Sequence, residues 1–550
     1  MRRAVWSFVL FFSSVCFCVE GNASAGMHSV IGHIERIFTD HYAPLKWKEE
    51  AFGWNVHEEA SRFDDLCYDD MPLKDFQRCV RKLMMSPCDY HVNVSFYATE
   101  AAFLPFAVRV VQDRVFVAWV DPWAVSLGHL KLEEGDEILT FDHRPVFDVI
   151  EEIKELGRKD ASRTETTIAG LYLTARLASR GFVVPKGQVP LSVRKRGTNQ
   201  IQEHDLKWDY IPEEIHSPFS ALAWDRYAAR DKREKTLLDI PHCHRMMKVS
   251  TAYCDRKNRG FAKQRALRLG TVLWEEDEKS PFDAYIFEHN KKKIGYVRIF
   301  DFVGDTSDAF CFADLMRHFD AKTDALMIDV KGNPGGNVLY CYALASMLAS
   351  EPLQILLQRE RISQAEVMHA IEFLNQCDEI EFEEQFGGEY LHGYPIDSDF
   401  ISGIYVYFRK LHEEWKEKHA FSSLQHLLGI ETLKAHPKGV YTKPILVLID
   451  ERSASCADIF PAILQDNGRA LIVGTKTCGA GGYVLWHDFP NLYGVEGISY
   501  TGSMFFRFNG DPLENLGVTP DIEIIPTAKD LEQGYCEYKK ALLNVVDTLF

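Results

Sequence analysis

The sequence predicts an α/β core, a mostly parallel sheet with helices, joined to a smaller module of short strands and an N-terminal helical region. Three observations carry that expectation. The apolar runs "ALMIDV", "PILVLID" and "ALIVG" alternate with helical patterns at 338–348 and 455–465. Strands buried on both faces and separated by helices belong to a parallel, doubly covered sheet. Upstream, the segment from Ser86 switches to alternating apolar residues and tight turns, the pattern of short strands. Before it, from His28 to Met85, apolar residues recur at three- and four-residue spacing, the helical period.

The elements follow in chain order. The N-terminus reads "MRRAVWSFVLFFSSVCFCVEGNASAG": Arg2 and Arg3 begin it, an apolar run follows from Ala4 to Val19, and Ala23-Ser24-Ala25 offers small residues for cleavage before Gly26. That is the layout of a secretory signal peptide over residues 1–25, with a run short for a spanning helix; an uncleaved anchor is the other reading. No later stretch is long and apolar enough to cross a bilayer as a helix. The helical region, 26–104, leads into a strand near His91 in which Val92, Val94 and Phe96 share one face. Across 105–210, short strands flank a turn at Glu134-Gly135-Asp136, and a helix follows Pro145. Gly128, Leu130, Gly135, Asp136, Ile138 and Asp142 match a "GL-x-x-GD-x-I-x-x-x-N/D" pattern, so this stretch resembles a PDZ module, which holds an extended peptide by adding it as a strand.

Residues 211–285 form a charged insert. "YAARDKREK" and "CDRKNRGFAKQRALRLG" concentrate positive charge in an otherwise acidic chain. A solvated linker and a removable regulatory segment both fit such a polar stretch. From 286 to 550 the chain becomes the α/β core, beginning with the strand candidate "IGYVRIF" and interrupted by a Glu- and Lys-rich helical insertion over 355–440.

Composition narrows the function. With 550 residues, 46% of them apolar, the chain is long enough for several structural units. A formal net charge of −18 argues against nucleic acid or an anionic membrane surface as the main partner, since both need a cationic face. Loss of residues 1–25 removes Cys16 and Cys18 and leaves eleven of the 13 cysteines, without a C-x-x-C pair. That spacing points to neither a zinc site nor a dense disulfide framework. Free buried cysteines are the simplest reading, with a few disulfides open to an exported protein.

Two turns carry candidate chemistry. In "DERSASCADIFPAILQDNGRALIVG", Ser455 stands where an apolar run meets a helix-like segment. A nucleophile there would have helix N–H groups and the positive dipole end beside a developing oxyanion. A plain helix cap at Ser453 or Ser455 fits equally, because serine is a preferred cap. In "LMIDVKGNPGGNVLY", Gly335 and Gly336 let the backbone come close to a bound group and offer N–H donors. An ordinary strand-to-helix turn is the alternative.

Taken together, "ALMIDVKGNPGG", "SASCADIFPAILQDNGRALIVGTKTCGAGG" and "ENLGVTPDIEI" resemble the tail-specific, or C-terminal-processing, serine peptidases of family S41, with the PDZ-like module upstream as that family has it. The resemblance implies a ClpP/crotonase-like core, hydrolysis of protein substrates and no metal or cofactor. Most such enzymes use a Ser–Lys dyad, but here "GTKTCGAGG" puts Ala480 in the lysine's place, and Lys476 falls four residues early. A divergent branch of the family shares the "S-C-A-D", "A-G-A-G-G", "D-Y-H" and "E-N-x-G-V" motifs found here around Ser455, Ala480, His91 and Glu514. That branch implies Ser455 as nucleophile, His91 as general base and Glu514 as the carboxylate that orients it. Cys456 with Gly335 or Gly336 would supply the oxyanion-binding N–H groups, and Asp458 would sit in the helix's first turn, facing the dipole. It also implies a secreted zymogen, acting in the periplasm, outside the cell or in a host cell, that cuts its own internal segment and works as a homodimer. A catalytically inactive ligand- or peptide-binding protein on the same fold is the alternative.

Overall fold

The computed structural model describes residues 23–121, 124–125, 130–158, 162–213, 267–277, 279–376, 378–489 and 492–550. Residues 1–22 of the expected signal segment, Gly128 of the PDZ-like pattern and most of the charged insert lie outside them.

At the centre is a seven-stranded sheet in the order Thr271–Glu275, Asp283–His289, Lys292–Arg298, Ala325–Asp329, Ile445–Ile449, Ala470–Gly474 and Ile522–Glu523. The first three strands pair antiparallel and the remaining steps are parallel. Side chains of one strand alternate between two cores. Ile445, Val447 and Ile449 pack under the helices Thr306–Lys322, Val338–Ser346 and Cys456–Asp466, whereas Leu446 and Leu448 pack against Tyr538 and Leu542 of the helix Cys536–Val546. Burial on both sides explains why these strands read as continuous apolar runs rather than alternating ones.

The insert is shorter than 211–285. Thr271–Glu275 is an edge strand of the core sheet and Asp283–His289 its neighbour. Their signal was weak because four of the five residues of the edge strand are exposed, so no apolar pattern marks it. The insertion over 355–440 is not purely helical. Gln364–Gln376, Glu379–Phe386 and Ser398–Lys416 are its helices, but Leu357–Glu360 pairs with Ser503–Phe506 and with Gln425–His426. Strands of two to four residues lie below the length at which periodicity is readable.

Four helices, Ala23–His41, Leu45–Phe52, Val56–Asp64 and Leu73–Met85, open the described chain. The expected cleavage point after Ala25 therefore falls in the first turn of the first helix. Val30, Ile34, Phe38, Phe76 and Val80 of these helices share a core with Val94, Phe96 and Ile498. His91 lies in the turn just before the strand Asn93–Phe96, not within it. That strand pairs antiparallel with Val495–Thr501, which ties the N-terminal region to the far end of the chain.

The PDZ-like module is a sheet ordered Phe106–Val111, Arg114–Val120, Glu137–Phe141, Gln188–Arg194 and Ile201–Lys207, with helices Val146–Lys154 and Arg163–Thr174. It docks on the core through Glu451. Thr164 donates to the Glu451 carbonyl at 2.7 Å, Thr167 donates to its carboxylate at 3.1 Å, and Arg109 lies 3.5 Å away.

Leu446 is fully buried at the middle of the parallel sheet. Leu446→Ala is expected to cost about 2–5 kcal/mol through lost transfer energy and the cavity left behind, seen as a lowered melting temperature.

Candidate active site

The strand Ile445–Ile449, buried throughout, delivers the chain to the turn Asp450-Glu451-Arg452-Ser453-Ala454-Ser455. The two serines have different environments. Ser453 is fully buried; its hydroxyl donates to the Val330 carbonyl at 2.9 Å and accepts the Asp450 N–H at 3.1 Å. It staples the turn and has no free function. Ser455 stands immediately before the helix Cys456–Asp466 with φ 57° and ψ −117°. A side-chain-bearing residue in that region costs roughly 1–3 kcal/mol and persists only where its surroundings over-determine it.

Asp458 supplies much of that determination. Its buried carboxylate accepts the Ser455 N–H at 2.8 Å, the Gly479 N–H at 2.9 Å and the Ala480 N–H at 3.0 Å. Burial pushes the Asp458 carboxyl up to about 6, against the pull of Thr477 and these N–H groups. The residue thus does more than face the helix dipole: it fixes the serine's backbone to the loop carrying Ala480. The family motif marks the position, but nothing in the local sequence gives its second and third bonds.

The Asn333-Pro334-Gly335-Gly336 turn presses against the serine from the other side. A Cβ on Gly335, whose φ is +95°, would lie 2.6 Å from Ser455 Cβ and 2.9 Å from Cys456 N. Only glycine permits that approach. The two glycines are not equivalent as donors, because the Gly335 N–H is engaged with Asn333 Oδ1 at 2.8 Å. Cys456 is buried and its thiol donates to the Gly336 carbonyl at 3.3 Å, as befits a small packed side chain.

His91 and Ser455 line one cavity of about 1330 Å³, together with Gly335, Gly336 and Cys456. The cavity runs on between the core and the PDZ-like module, bordered there by Phe106, Val108 and Ile168. It is larger than a usual small-molecule pocket of roughly 300–1,000 Å³. The His91 backbone is pinned: its N–H donates to Asp89 Oδ1 at 2.8 Å, its carbonyl accepts from Ser499 at 2.7 Å, and Arg158 donates to the Asp89 and Val92 carbonyls. Its ring is not. Among the described residues neither ring nitrogen has a hydrogen-bond partner. Burial pushes the imidazole pKa down to about 4, with Asp89 opposing and Arg158 and Lys48 adding to the fall.

Glu514 lies behind this cavity wall, fully buried, with Oε2 accepting the Gly481 N–H at 3.2 Å. Its other oxygen, Oε1, bonds Lys48 Nζ at 2.5 Å. Burial, then the neighbouring Asp89 carboxylate, raises the Glu514 pKa to about 7, while Lys48 pulls it down. The structure therefore gathers Ser455 and His91 at one surface and holds Glu514 beneath it, with no direct bond from the imidazole to either among the described residues. Lys48 had no signal in the sequence, being one of four charged residues in "LKWKEEAF". Ala480 packs with Tyr90 and Cys478 in a small apolar cluster, so apolar contacts surround the position of the lost lysine. Lys476 is directed elsewhere, donating to the Asn515 carbonyl at 3.2 Å.

Residues 293–524 match peptidase family S41, and residues 100–215 match a PDZ domain. A Chlamydia pneumoniae protein is 32% identical over 98% of this chain and 93% of its own length. A Chlamydia muridarum protein is 32% identical over 100% and 97%. The crystal structure of mature CPAF, the chlamydial protease-like activity factor, is 30% identical with a TM-score of 0.79, covering 96% of this chain and 98% of that one. The chain belongs to peptidase family S41. Within that family it is CPAF-like along nearly its whole length. The complex of mature CPAF with lactacystin is likewise similar, at a TM-score of 0.80, 30% identity and coverage of 96% and 99%. As an S41 member the chain is a serine peptidase in type.

Gly335→Ala would set a methyl group against Ser455 and Cys456. Labelling of the protein by a serine-directed fluorophosphonate is expected to slow at least about tenfold with little change in circular dichroism, since a misplacement of about 1 Å can cost a hundredfold.

Proposed function

We propose that this protein is an exported serine endopeptidase, on a core of the ClpP/crotonase kind, that hydrolyses protein substrates through an acyl-enzyme on Ser455. The observation that carries the reading is the strained Ser455 backbone, held at a helix N-terminus by Asp458 and Gly335 and opening into the cavity shared with His91. In this reading neutral His91 takes the serine proton as the hydroxyl attacks the scissile carbonyl, then returns it to the leaving amine. Glu514 orients the imidazole and stabilises its charged form. Catalytic hydrogen bonds in a substrate-free cleft are commonly long and tighten in the complex, which fits an imidazole still without partners. Cys456 N–H with a glycine N–H of the facing turn receives the oxyanion; Gly336 suits that role better than Gly335, whose N–H serves Asn333. Removing one such donor costs on the order of 3 kcal/mol in the barrier.

Three further expectations belong to this proposal. The signal-like N-terminus supports secretion. The solved CPAF structures are of the mature protein, which supports synthesis as a zymogen, with the charged insert as the removable segment. Homodimerisation follows from the family likeness and is read by sedimentation equilibrium of the purified chain. A second reading, a ligand- or peptide-binding protein on the same fold, is favoured by one observation, the unbonded imidazole of His91.

Cleavage of an unfolded protein substrate by residues 26–550 separates the two. Activity in the parent, abolished in Ser455→Ala and in His91→Ala, is expected; equal rates in all three would refute these roles, and an inert parent would favour the binding protein. The pH profile adds a further check. Ionised Glu514 is needed, so kcat/KM should rise with pH through about 7, while His91 stays neutral down to about pH 4. Glu514→Gln should lack that rise.

A further inference from the structure

Beneath the cavity the carboxylate expected to serve His91 is bonded to a cation from the opposite end of the chain. Lys48, in the helix Leu45–Phe52, is fully buried; its Nζ lies 2.5 Å from Glu514 Oε1 and 2.6 Å from Asn515 Oδ1. Asn515 in turn donates from Nδ2 to the Cys88 carbonyl at 2.8 Å, next to Asp89-Tyr90-His91. Asp89 is held from the same N-terminal region, by the Tyr42 hydroxyl at 2.9 Å, and by Thr501 at 2.7 Å. The short connection Tyr42–Lys48 thus pins both buried carboxylates near His91.

We propose that Lys48 is a positioning residue for the S41 reaction, holding Glu514 in its ionised form and fixed orientation so that it can accept from the His91 imidazole. The inference rests on the serine-peptidase reading above. Stability alone does not account for the pair. Two charges taken out of water are repaid only partly by their attraction, and apolar replacements of buried pairs are often neutral or stabilising. What the ammonium does supply is a charge state. Around Glu514 stand Asp89 from the His91 turn, Tyr42 from the N-terminal region, and Cys478 and the Gly481 N–H from the loop carrying Ala480. Burial and Asp89 favour the protonated acid, and Lys48 and the Gly481 N–H oppose them. A protonated Glu514 would spend an oxygen as a donor and could not stabilise an imidazolium. Lys48 itself is not the base. Its ammonium is engaged by two acceptors and does not border the cavity that Ser455 opens into.

The test is a double-mutant cycle in the full chain: Lys48→Met, Lys48→Arg, Glu514→Gln and Lys48→Met with Glu514→Gln, with kcat/KM measured over about pH 5–9. Lys48→Met is expected to lower kcat/KM near neutral pH by about 30-fold, the scale on which partners behind a site act. It should also move the acidic limb upward by about one pH unit or more, while Lys48→Arg keeps the parent's limb. With Glu514→Gln already present, Lys48→Met should cost no further activity beyond about twofold, because its effect passes through Glu514. An unmoved limb in Lys48→Met, or losses that multiply in the double variant, would overturn the inference and leave the peptidase reading standing. Should Lys48→Met fail to fold, Lys48→Arg and the double variant, in which no buried charge is left unpaired, carry the same comparison. An inert parent would instead refute the peptidase reading, and this inference with it.

Discussion

The site depends on one buried carboxylate. Asp458 takes hydrogen bonds from the backbone of Ser455 and from two successive residues of the loop carrying Ala480. Without it the left-handed backbone at Ser455 would have no reason to persist, since the conformation costs more than an isolated serine would bear. The glycine turn at Gly335 then closes the remaining freedom by occupying the space the serine would relax into. A strained serine, an acid that locks it and a glycine that backs it form one mechanical unit at the carboxyl end of a parallel strand, where open α/β sheets place their sites.

The loop carrying Ala480 borders that unit on an apolar side. Ala480 packs with Tyr90 in an apolar cluster, and the next residue, His91, lies in a turn ahead of a strand that pairs near the other end of the chain. An imidazole placed in such a turn needs its own support. The structure provides it through Asp89, Arg158 and Ser499 on the backbone, and through the Lys48–Glu514 pair below. Through Tyr42 and Lys48 the N-terminal region reaches the buried carboxylates Asp89 and Glu514.

Much of this was legible in the sequence, and the gaps have physical causes. The runs Ala325–Asp329, Ile445–Ile449 and Ala470–Gly474 announced themselves because strands covered on both faces must be apolar throughout. Ser455 and the glycine turn were legible as a pair of motifs, although a plain helix cap at Ser453 or Ser455 fitted as well; the buried Ser453 hydroxyl instead bonds the Val330 carbonyl. The edge strand Thr271–Glu275 escaped because its side chains face solvent. Lys48 escaped for the opposite reason. It is buried, but its partner is 466 residues away, and a lysine among charged neighbours on a short amphipathic helix gives no local sign of where its ammonium goes.

That separation bears on when the enzyme can be active. The bonds assembling the site span nearly the whole chain: Lys48 to Glu514, Asn515 to Cys88, Thr501 to Asp89. Contacts of such sequence separation form late, because the entropy of closing the intervening loop is lost before the contact returns anything. A nascent chain therefore holds Ser455 and His91 without the buried Lys48–Glu514 pair until its last forty or so residues have emerged and docked. The topology is itself a timing device. It leaves the site unassembled until synthesis is nearly complete.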